Sequence, residues 1–328
     1  MSASAAVLGF GGYVPERVMT NDDWAALVDT SDEWIRTRTG IQERRIAAPG
    51  EATADLAEQA ARVALVDAGL EGTDIDEIIV ATDTPEVYTP DTASFLQHRL
   101  GAREIPAFDL GGSGCAGWIQ ALDVARSRIA VEPKRILVVG VELISRLISW
   151  EERETCVLFG DGAGAVVLGP EGGKAEFLDA VSGTDGSKTG ILTLGTGGTR
   201  HPFNQAAIDS GAYNHLEMNG REVFREAVRR MTDSAKAVLE RIGSTLADVA
   251  LVIPHQANQR IIDAVAKAMG VESDRVYSNI ASYGNIGSAT VPFALWEARQ
   301  KGRIQPGDLV IMSAFGAGFH WAAAALRF

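Results

Sequence analysis

The stretch DLGGSGCAGW, residues 109–118, sets Cys115, one of two cysteines in 328 residues, among four glycines. The residues that follow it, AGWIQALDVARSRIA, bring Trp118, Ile119, Leu122, Ala125, Arg126 and Ile129 to helical spacing, so the thiol sits at or near a helix N-terminus. Unpaired N–H groups and the positive end of the macrodipole favour the thiolate there, which is the nucleophilic form. Glycine neighbours let a substrate carbonyl approach and leave backbone N–H groups free to hold an oxyanion. The same glycines would also serve a plain strand-to-helix crossing around a small buried residue. A cysteine nucleophile needs a base or charge partner. Of five histidines, His255 stands just beyond an apolar run in VALVIPHQAN and just before a helix over 260–269, at the strand end where α/β sheets gather ligands. His98 in a helix, His201 and His215 in a Gly-rich loop and His320 in a terminal apolar run read as solvated or structural, as does Cys156 in the strand-like TCVLFG. Asn285, in SYGNIGSATVP, lies in a turn before a helix, where Asn commonly caps; its company with Cys115 and His255 makes it the third candidate.

Positioning such groups requires alternating strands and helices. Short β-rich runs at 78–81, 135–141 and 249–253 alternate with Ala-rich segments of helical period such as 53–68, which argues α/β. Residues 221–242 read as one long helix with Val223, Phe224, Ala227, Val228, Met231, Ala235 and Leu239 on one stripe. Pro306-Gly307-Asp308 turns into a strand over 309–313. LFGDGAGAVVLG at 158–169 is echoed by AFGAGFHWAAAAL at 314–326, which suggests two similar halves, 1–172 and 173–328, divided where Gly, Pro and charge gather.

Composition narrows the function classes. A chain that is 46% hydrophobic and 22% charged is an ordinary globular protein. A net charge of −13 argues against general nucleic-acid binding, because phosphates are held by Lys and Arg. The opening residues have neither the basic start nor the apolar run of a secretory signal, and no apolar stretch is long enough to span a membrane. The expected location is cytoplasmic, with reduced thiols and no metal cage. GFGGYVPERV lacks the helix a dinucleotide loop needs, and FGDGAGA lacks the Lys-Ser/Thr of a phosphate-binding P-loop.

Taken together, GCAGW, HQANQRI and YGNIGSATVP resemble the three active-site motifs of β-ketoacyl-acyl-carrier-protein synthase III, a condensing enzyme of the thiolase superfamily. TSDEWIRTRTGIQERR at 30–45, LFGDGAGAVVL and MNGREVF at 218–224 resemble further family segments in the same order. The resemblance implies a duplicated five-layer αβαβα fold, usually a homodimer. It implies decarboxylative condensation of an acyl-coenzyme A primer with malonyl-acyl-carrier protein through a Cys115 thioester, with no metal or other cofactor. Carried over by motif, His255 and Asn285 surround the malonyl thioester, and the N–H groups of Cys115 and Ala317 form an oxyanion hole, with alanine standing where the family usually has glycine. Thr30, Trp34, Arg38 and Arg153 fall at coenzyme A-binding positions, Trp34 and Arg153 flanking the adenine; Gly220, Phe224, Ala257 and Asn258 line the pantetheine tunnel. Arg225, Arg260 and Lys267 fall where carrier protein is contacted, within a basic face that includes Arg221 and Arg229.

Two departures stand out within this resemblance. One extra residue separates Asp109 from Cys115, and Thr89 occupies a position where short straight primers go with a Phe reaching across the dimer. The smaller side chain suggests room for longer or branched acyl groups, which the Gly-rich loop 183–200 could refill. Relatives with the same triad move an acyl group to a hydroxyl or amine, or build polyketide and quinolone products, so such an acyltransferase is the alternative expectation. A carrier-binding subunit without catalysis sits poorly with an intact Cys, His and Asn.

Overall fold

The computed structural model describes residues 5–328. Nine strands form the main sheet system: β1 (Ala5–Tyr13), β2 (Glu77–Ala81), β3 (Ala107–Leu110), β4 (Ile136–Leu143), β5 (Asp161–Gly169), β6 (Ala175–Thr184), β7 (Val249–Pro254), β8 (Leu309–Gly316) and β9 (His320–Arg327). Their spatial order is β7-β8-β9-β6-β1-β5-β4-β2-β3. Read outward from the middle, the first half runs β1-β5-β4-β2-β3 and the second repeats it as β6-β9-β8-β7, without a counterpart of β3. The halves meet where Ala5–Val7 pairs antiparallel with Ala175–Phe177, and the chain crosses between them after Gly169. The sequence echo maps onto β5 and β9, the corresponding strands of the two sets.

Helices α1 (Asp32–Thr39), α2 (Thr53–Ala68), α3 (Gly117–Val131), α4 (Gly220–Arg241), α5 (Gln259–Met269) and α6 (Thr290–Gln300) complete the frame. The apolar face of α3, from Trp118 to Ile129, is buried against Ile79 and Val138 of one half and Met312 and Ala324 of the other, and Val291, Ala294, Leu295 and Ala298 of α6 join that cluster. Those two helices form the central layer. On one outer face α2 buries Leu56, Ala57, Ala60, Ala61 and Ala64 against Val139 and Val167; on the other, α4 and α5 bury Met231, Ala235, Val238 and Val265 against Ile311 and Ala323. Layers αβαβα result. Strand β4 is buried over its whole length, as a strand covered by helices on both faces must be, and its near-continuous apolar run follows from that.

Several expectations shift in detail. GFGGY, rejected above as a dinucleotide loop, lies inside β1. Cys156 ends a short helix, Arg153–Cys156, instead of lying in a strand, because TCVLFG bends into a turn before β5; its side chain is buried against Trp24, Ile35 and Val157. The 183–200 loop carries a 3-10 segment, Gly186–Ile191, and a short strand, Leu192–Leu194, paired with Leu216–Met218.

Candidate active site

Cys115 occupies the 3-10 turn Gly114–Ala116 that runs directly into α3. The six-residue step from Asp109 to the thiol is taken up by glycines with positive φ, Gly112 at 76° and Gly114 at 54°. Gly112 donates its N–H to Asp83 Oδ1 at 2.6 Å, while the Asp109 carboxylate accepts from the N–H groups of Thr92 and Ala93. A Cβ at Gly114 would lie 2.6 Å from the backbone nitrogen of Ala317, and one at Gly316 would lie 2.4 Å from that of Cys115. The bare backbone around the thiol therefore lets the turn after β8 press onto it from the second half, with the backbone nitrogen of Ala317 facing Gly114 and that of Cys115 facing Gly316. No non-glycine among the described residues has positive φ, so Ala317 stands in this turn without left-handed strain.

His255 follows the last residue of β7, and its N–H donates to Ser313 O of the neighbouring β8 at 2.7 Å. The next side chain braces it: Gln256 Nε2 donates to Pro254 O and Tyr277 O, while Gln256 Oε1 accepts from Asn279 N–H. His255 Nδ1 lies 2.6 Å from Thr290 Oγ1, at the start of α6. Asn285 Oδ1 accepts from Gly287 N–H at 2.9 Å, which fixes the amide so that Nδ2 is the free donor, and Asn285 lines the same cavity as Cys115.

Two cavities meet at the thiol. One, of about 620 Å³, is lined by Cys115, His255 and Asn285 together with Arg38, Gly220, Phe224, Ala257 and Asn258. The other, of about 730 Å³, lies beyond Cys115 and is lined by Val87, Ile144, Leu147, Leu192, Leu194 and Leu216 among others. Thr30, Trp34 and Arg153 stand outside both linings; Arg153 stacks on Trp34 with its guanidinium carbon 4.9 Å from the ring centroid, one helical turn from Arg38. Thr89 is exposed and does not line the larger cavity, whereas Thr189 and Leu192–Leu194 of the 183–200 loop do.

The basic face is uneven. Arg225 is paired with Glu222 and Glu226 and Arg229 with Glu226, while Arg221 and Arg260 line the mouth of the smaller cavity without a salt bridge among the described residues. Lys267 is exposed near the end of α5. The other histidines lie elsewhere: His98 and His201 are exposed, His215 pairs with Glu152, and His320 Nδ1 bonds Thr184 Oγ1.

Electrostatically the site rests uncharged. Burial pushes the Cys115 thiol well above its ordinary value, with the carboxylates of Glu142 and Asp83 adding to the rise, so the helix terminus alone does not yield a resting thiolate. This corrects the expectation drawn from the helix dipole. Burial likewise drives His255 down to about 3, leaving a neutral imidazole at any physiological pH. Glu142 is pushed up to about 8 by burial and by Asp83; its carboxylate accepts from Thr84 Oγ1 at 2.8 Å and from Ser288 Oγ at 3.0 Å.

Sequence reading passed over Glu142 and Thr290. The signal for Glu142 was an acid inside the otherwise apolar strand ILVVGVEL. Thr290 lies in the Asn285 motif itself.

A pH effect follows from Glu142. Between its ordinary value near 4.5 and about 8, the folded protein holds a proton there that the unfolded chain has lost, so stability falls as pH rises across that window. Glu142→Gln, which imitates the protonated form, is expected to flatten the fall by up to ~1.4 kcal/mol per pH unit. Denaturant unfolding at pH 6, 7 and 8 measures it.

Residues 239–328 match the family model for the C-terminal part of 3-oxoacyl-[acyl-carrier-protein] synthase III, and residues 108–186 match the model for 3-oxoacyl-[acyl-carrier-protein] synthase III itself. A β-ketoacyl-[acyl-carrier-protein] synthase III of Symbiobacterium thermophilum is 48% identical over 98% of this chain and 97% of its own. The chain belongs to the 3-oxoacyl-[acyl-carrier-protein] synthase III family. The fold agrees: the family's crystal structure from Aquifex aeolicus VF5 superposes with a TM-score of 0.90 at 43% identity, covering 99% of this chain and 100% of that one. The priming β-ketosynthase of the R1128 polyketide biosynthetic pathway superposes with a TM-score of 0.91 at a lower identity, 36%, covering 98% and 96%. Family membership makes this chain an acyl-transferring condensing enzyme. No helix among the described residues is long and apolar enough to cross a membrane.

Proposed function

We propose that this protein condenses an acyl-coenzyme A primer with malonyl-acyl-carrier protein, releasing carbon dioxide, and so starts fatty acid synthesis. The observation that carries the reading is the position of Cys115 at the junction of two cavities, with His255 and Asn285 lining one and leucines, isoleucines and a valine among the residues lining the other, which also include Asp83, Asp91, Asp109 and Glu142. The primer thioester enters past Trp34, Arg38 and Arg153, with its pantetheine arm along Gly220, Phe224, Ala257 and Asn258. Sulfur attacks the thioester carbonyl while the N–H groups of Cys115 and Ala317 hold the oxyanion, and coenzyme A leaves as thiolate. The acyl chain then lies in the larger cavity, whose volume supports primers longer or more branched than acetyl. Malonyl thioester takes the vacated arm site and loses carbon dioxide. Its enolate oxygen accepts hydrogen bonds from Asn285 Nδ2 and His255, and the carbanion attacks the acyl carbonyl and expels the Cys115 thiolate.

Arg221 and Arg260, unpaired at the mouth, support docking of an acidic carrier better than Arg225, which its own helix neutralises; Arg260 and Lys267 share α5. Strand β3 ends the sheet with one backbone edge unpaired, and Tyr88, in the segment after β2, is 86% exposed, which supports a homodimer formed across that edge, with Thr89 at the partner's acyl pocket. The repeated strand order supports halves 1–172 and 173–328. No group beyond the thioesters enters these steps, and a cytoplasmic setting fits them. The test is intact-mass spectrometry of the purified protein against straight and branched acyl-coenzyme A thioesters: a +acyl adduct mapped to Cys115 supports the reading, and no adduct with any thioester overturns it. In Trp34→Ala, loss of one stacking face for the adenine, worth about 1–3 kcal/mol, is expected to raise KM for the primer roughly tenfold with kcat little changed.

A further inference from the structure

We propose that Arg44 is a positioning residue: its wholly buried guanidinium holds the segment 157–160 against the backbone of Asn285, and so sets where the Asn285 amide meets the malonyl thioester. The inference rests on the reading above that Asn285 holds the enolate.

Arg44 is the middle residue of a short strand, Glu43–Arg45, paired antiparallel with Val18–Thr20, and none of its surface reaches solvent. Burial draws its guanidinium down to about 10, so it is still charged at neutral pH. A buried cation carries a desolvation cost that a carboxylate partner usually offsets. Arg44 has no salt bridge among the described residues; its terminal nitrogens turn to neutral oxygens instead. Nη1 donates to Asn21 Oδ1 at 2.8 Å and to Met19 O at 3.3 Å, and Nη2 donates to Val157 O at 2.5 Å. Asn21 is itself anchored, its Nδ2 donating to Asp32 Oδ1 and to Ile41 O, both at 2.8 Å. The guanidinium is thus a fixed bridge from this strand pair to a carbonyl 113 residues further on.

The segment it grips goes on to take hold of Asn285. Asn285 N–H donates to Leu158 O at 2.9 Å, and Asn285 O accepts from Gly160 N–H at 3.0 Å. The fit is close: a Cβ at Gly160 would lie 2.5 Å from Tyr283 O and 3.1 Å from Arg44 Cβ, and one at Gly284 would lie 3.4 Å from Arg44 Cβ. The arginine stem therefore lies against both backbones. Two separate restraints act on Asn285. Gly287 N–H sets the direction of its amide, while the bonds to Leu158 and Gly160 set how far the residue stands into the cavity, and the second restraint depends on Arg44. Leu158 and Phe159 line the same cavity as Asn285, so a shift of this segment reaches the site directly. The acyl oxyanion is held instead by the N–H groups of Cys115 and Ala317, to which Arg44 makes no bond.

A double-mutant cycle of Arg44→Met and Asn285→Ala tests this, with acylation followed at saturating primer and carbon dioxide release followed from acyl-enzyme mixed with carboxyl-labelled malonyl thioester. Arg44→Met keeps an unbranched stem and removes every donor. Carbon dioxide release is expected to slow ~10- to 10²-fold, the scale of a reacting group misplaced by about an ångström, while acylation stays within a factor of about three of wild type. In the Asn285→Ala background the same substitution is expected to slow release no further, because the amide it positions is gone. A wild-type release rate in Arg44→Met, equal slowing of acylation and release, or losses that multiply in the double variant would overturn the proposal. Should Arg44→Met lack a cooperative thermal transition, Arg44→Lys, which keeps the charge but not the two-pronged fork, runs the same cycle under the same criteria. Asn285→Ala releasing carbon dioxide at the wild-type rate is a separate result, which would sink the functional reading and this proposal with it.

Discussion

In Cys115→Ser, intact-mass spectra after incubation with acyl-coenzyme A are expected to show no adduct, with turnover lower by at least ~10³-fold. The site gives a weak nucleophile little help at rest. Burial and the nearby Glu142 and Asp83 already hold the thiol in its protonated form, and His255 is neutral, so acylation depends on how readily sulfur gives up its proton as the new bond forms. A hydroxyl is far less acidic than a thiol and loses that advantage. The exchange is nearly isosteric, and the glycine turn that carries residue 115 is fixed by Asp83 and by the backbone of Gly316, so the thermal transition should stay at its wild-type value. An acylated Cys115→Ser protein would count against the assigned nucleophile.

Asn285→Ala separates the two half-reactions. The Gly287 N–H fixes the Asn285 amide oxygen, so the orientation of Nδ2 is built into the backbone and costs no reorganisation when charge develops on the enolate. Removing one such donor is expected to slow decarboxylation by ~10²- to 10³-fold, or about 3–4 kcal/mol, while the acyl adduct on Cys115 still forms because its oxyanion is held by backbone N–H groups. Release of ¹⁴C-carbon dioxide from carboxyl-labelled malonyl thioester, measured beside the adduct mass, gives both numbers. Equal loss of acylation and decarboxylation would place Asn285 in the first step instead.

What the sequence disclosed was mostly local. The helix at 53–68, the long helix near 220–241 and the strand before His255 follow from periodicity, because each buries one continuous apolar face. Cys115, His255 and Asn285 were legible because each stands at a strand-to-helix or turn-to-helix junction marked by glycine, histidine or asparagine out of keeping with its surroundings. Their mutual approach was legible only through the family resemblance, not from local pattern. It depends on the backbone of Gly316 and Ala317 meeting that of Gly114 and Cys115 across the central layer, a contact between segments some 200 residues apart that no local pattern records. Charge state was also hidden, since helix position argued for a thiolate while burial and the two nearby acids, Glu142 and Asp83, push the thiol up. Thr290 escaped notice for a plainer reason: a threonine in the first turn of a helix is ordinary until the ring of His255 is found 2.6 Å away.

The most direct test is a single turnover on trapped acyl-enzyme. Protein acylated at Cys115 and freed of coenzyme A is mixed with carboxyl-labelled malonyl-acyl-carrier protein, and acyl loss, carbon dioxide and product mass are followed together. One carbon dioxide released for each acyl group lost, with the carrier gaining a β-ketoacyl chain, is the expected result. Acyl loss without carbon dioxide, or an acyl group recovered on a hydroxyl or amine, would contradict the account.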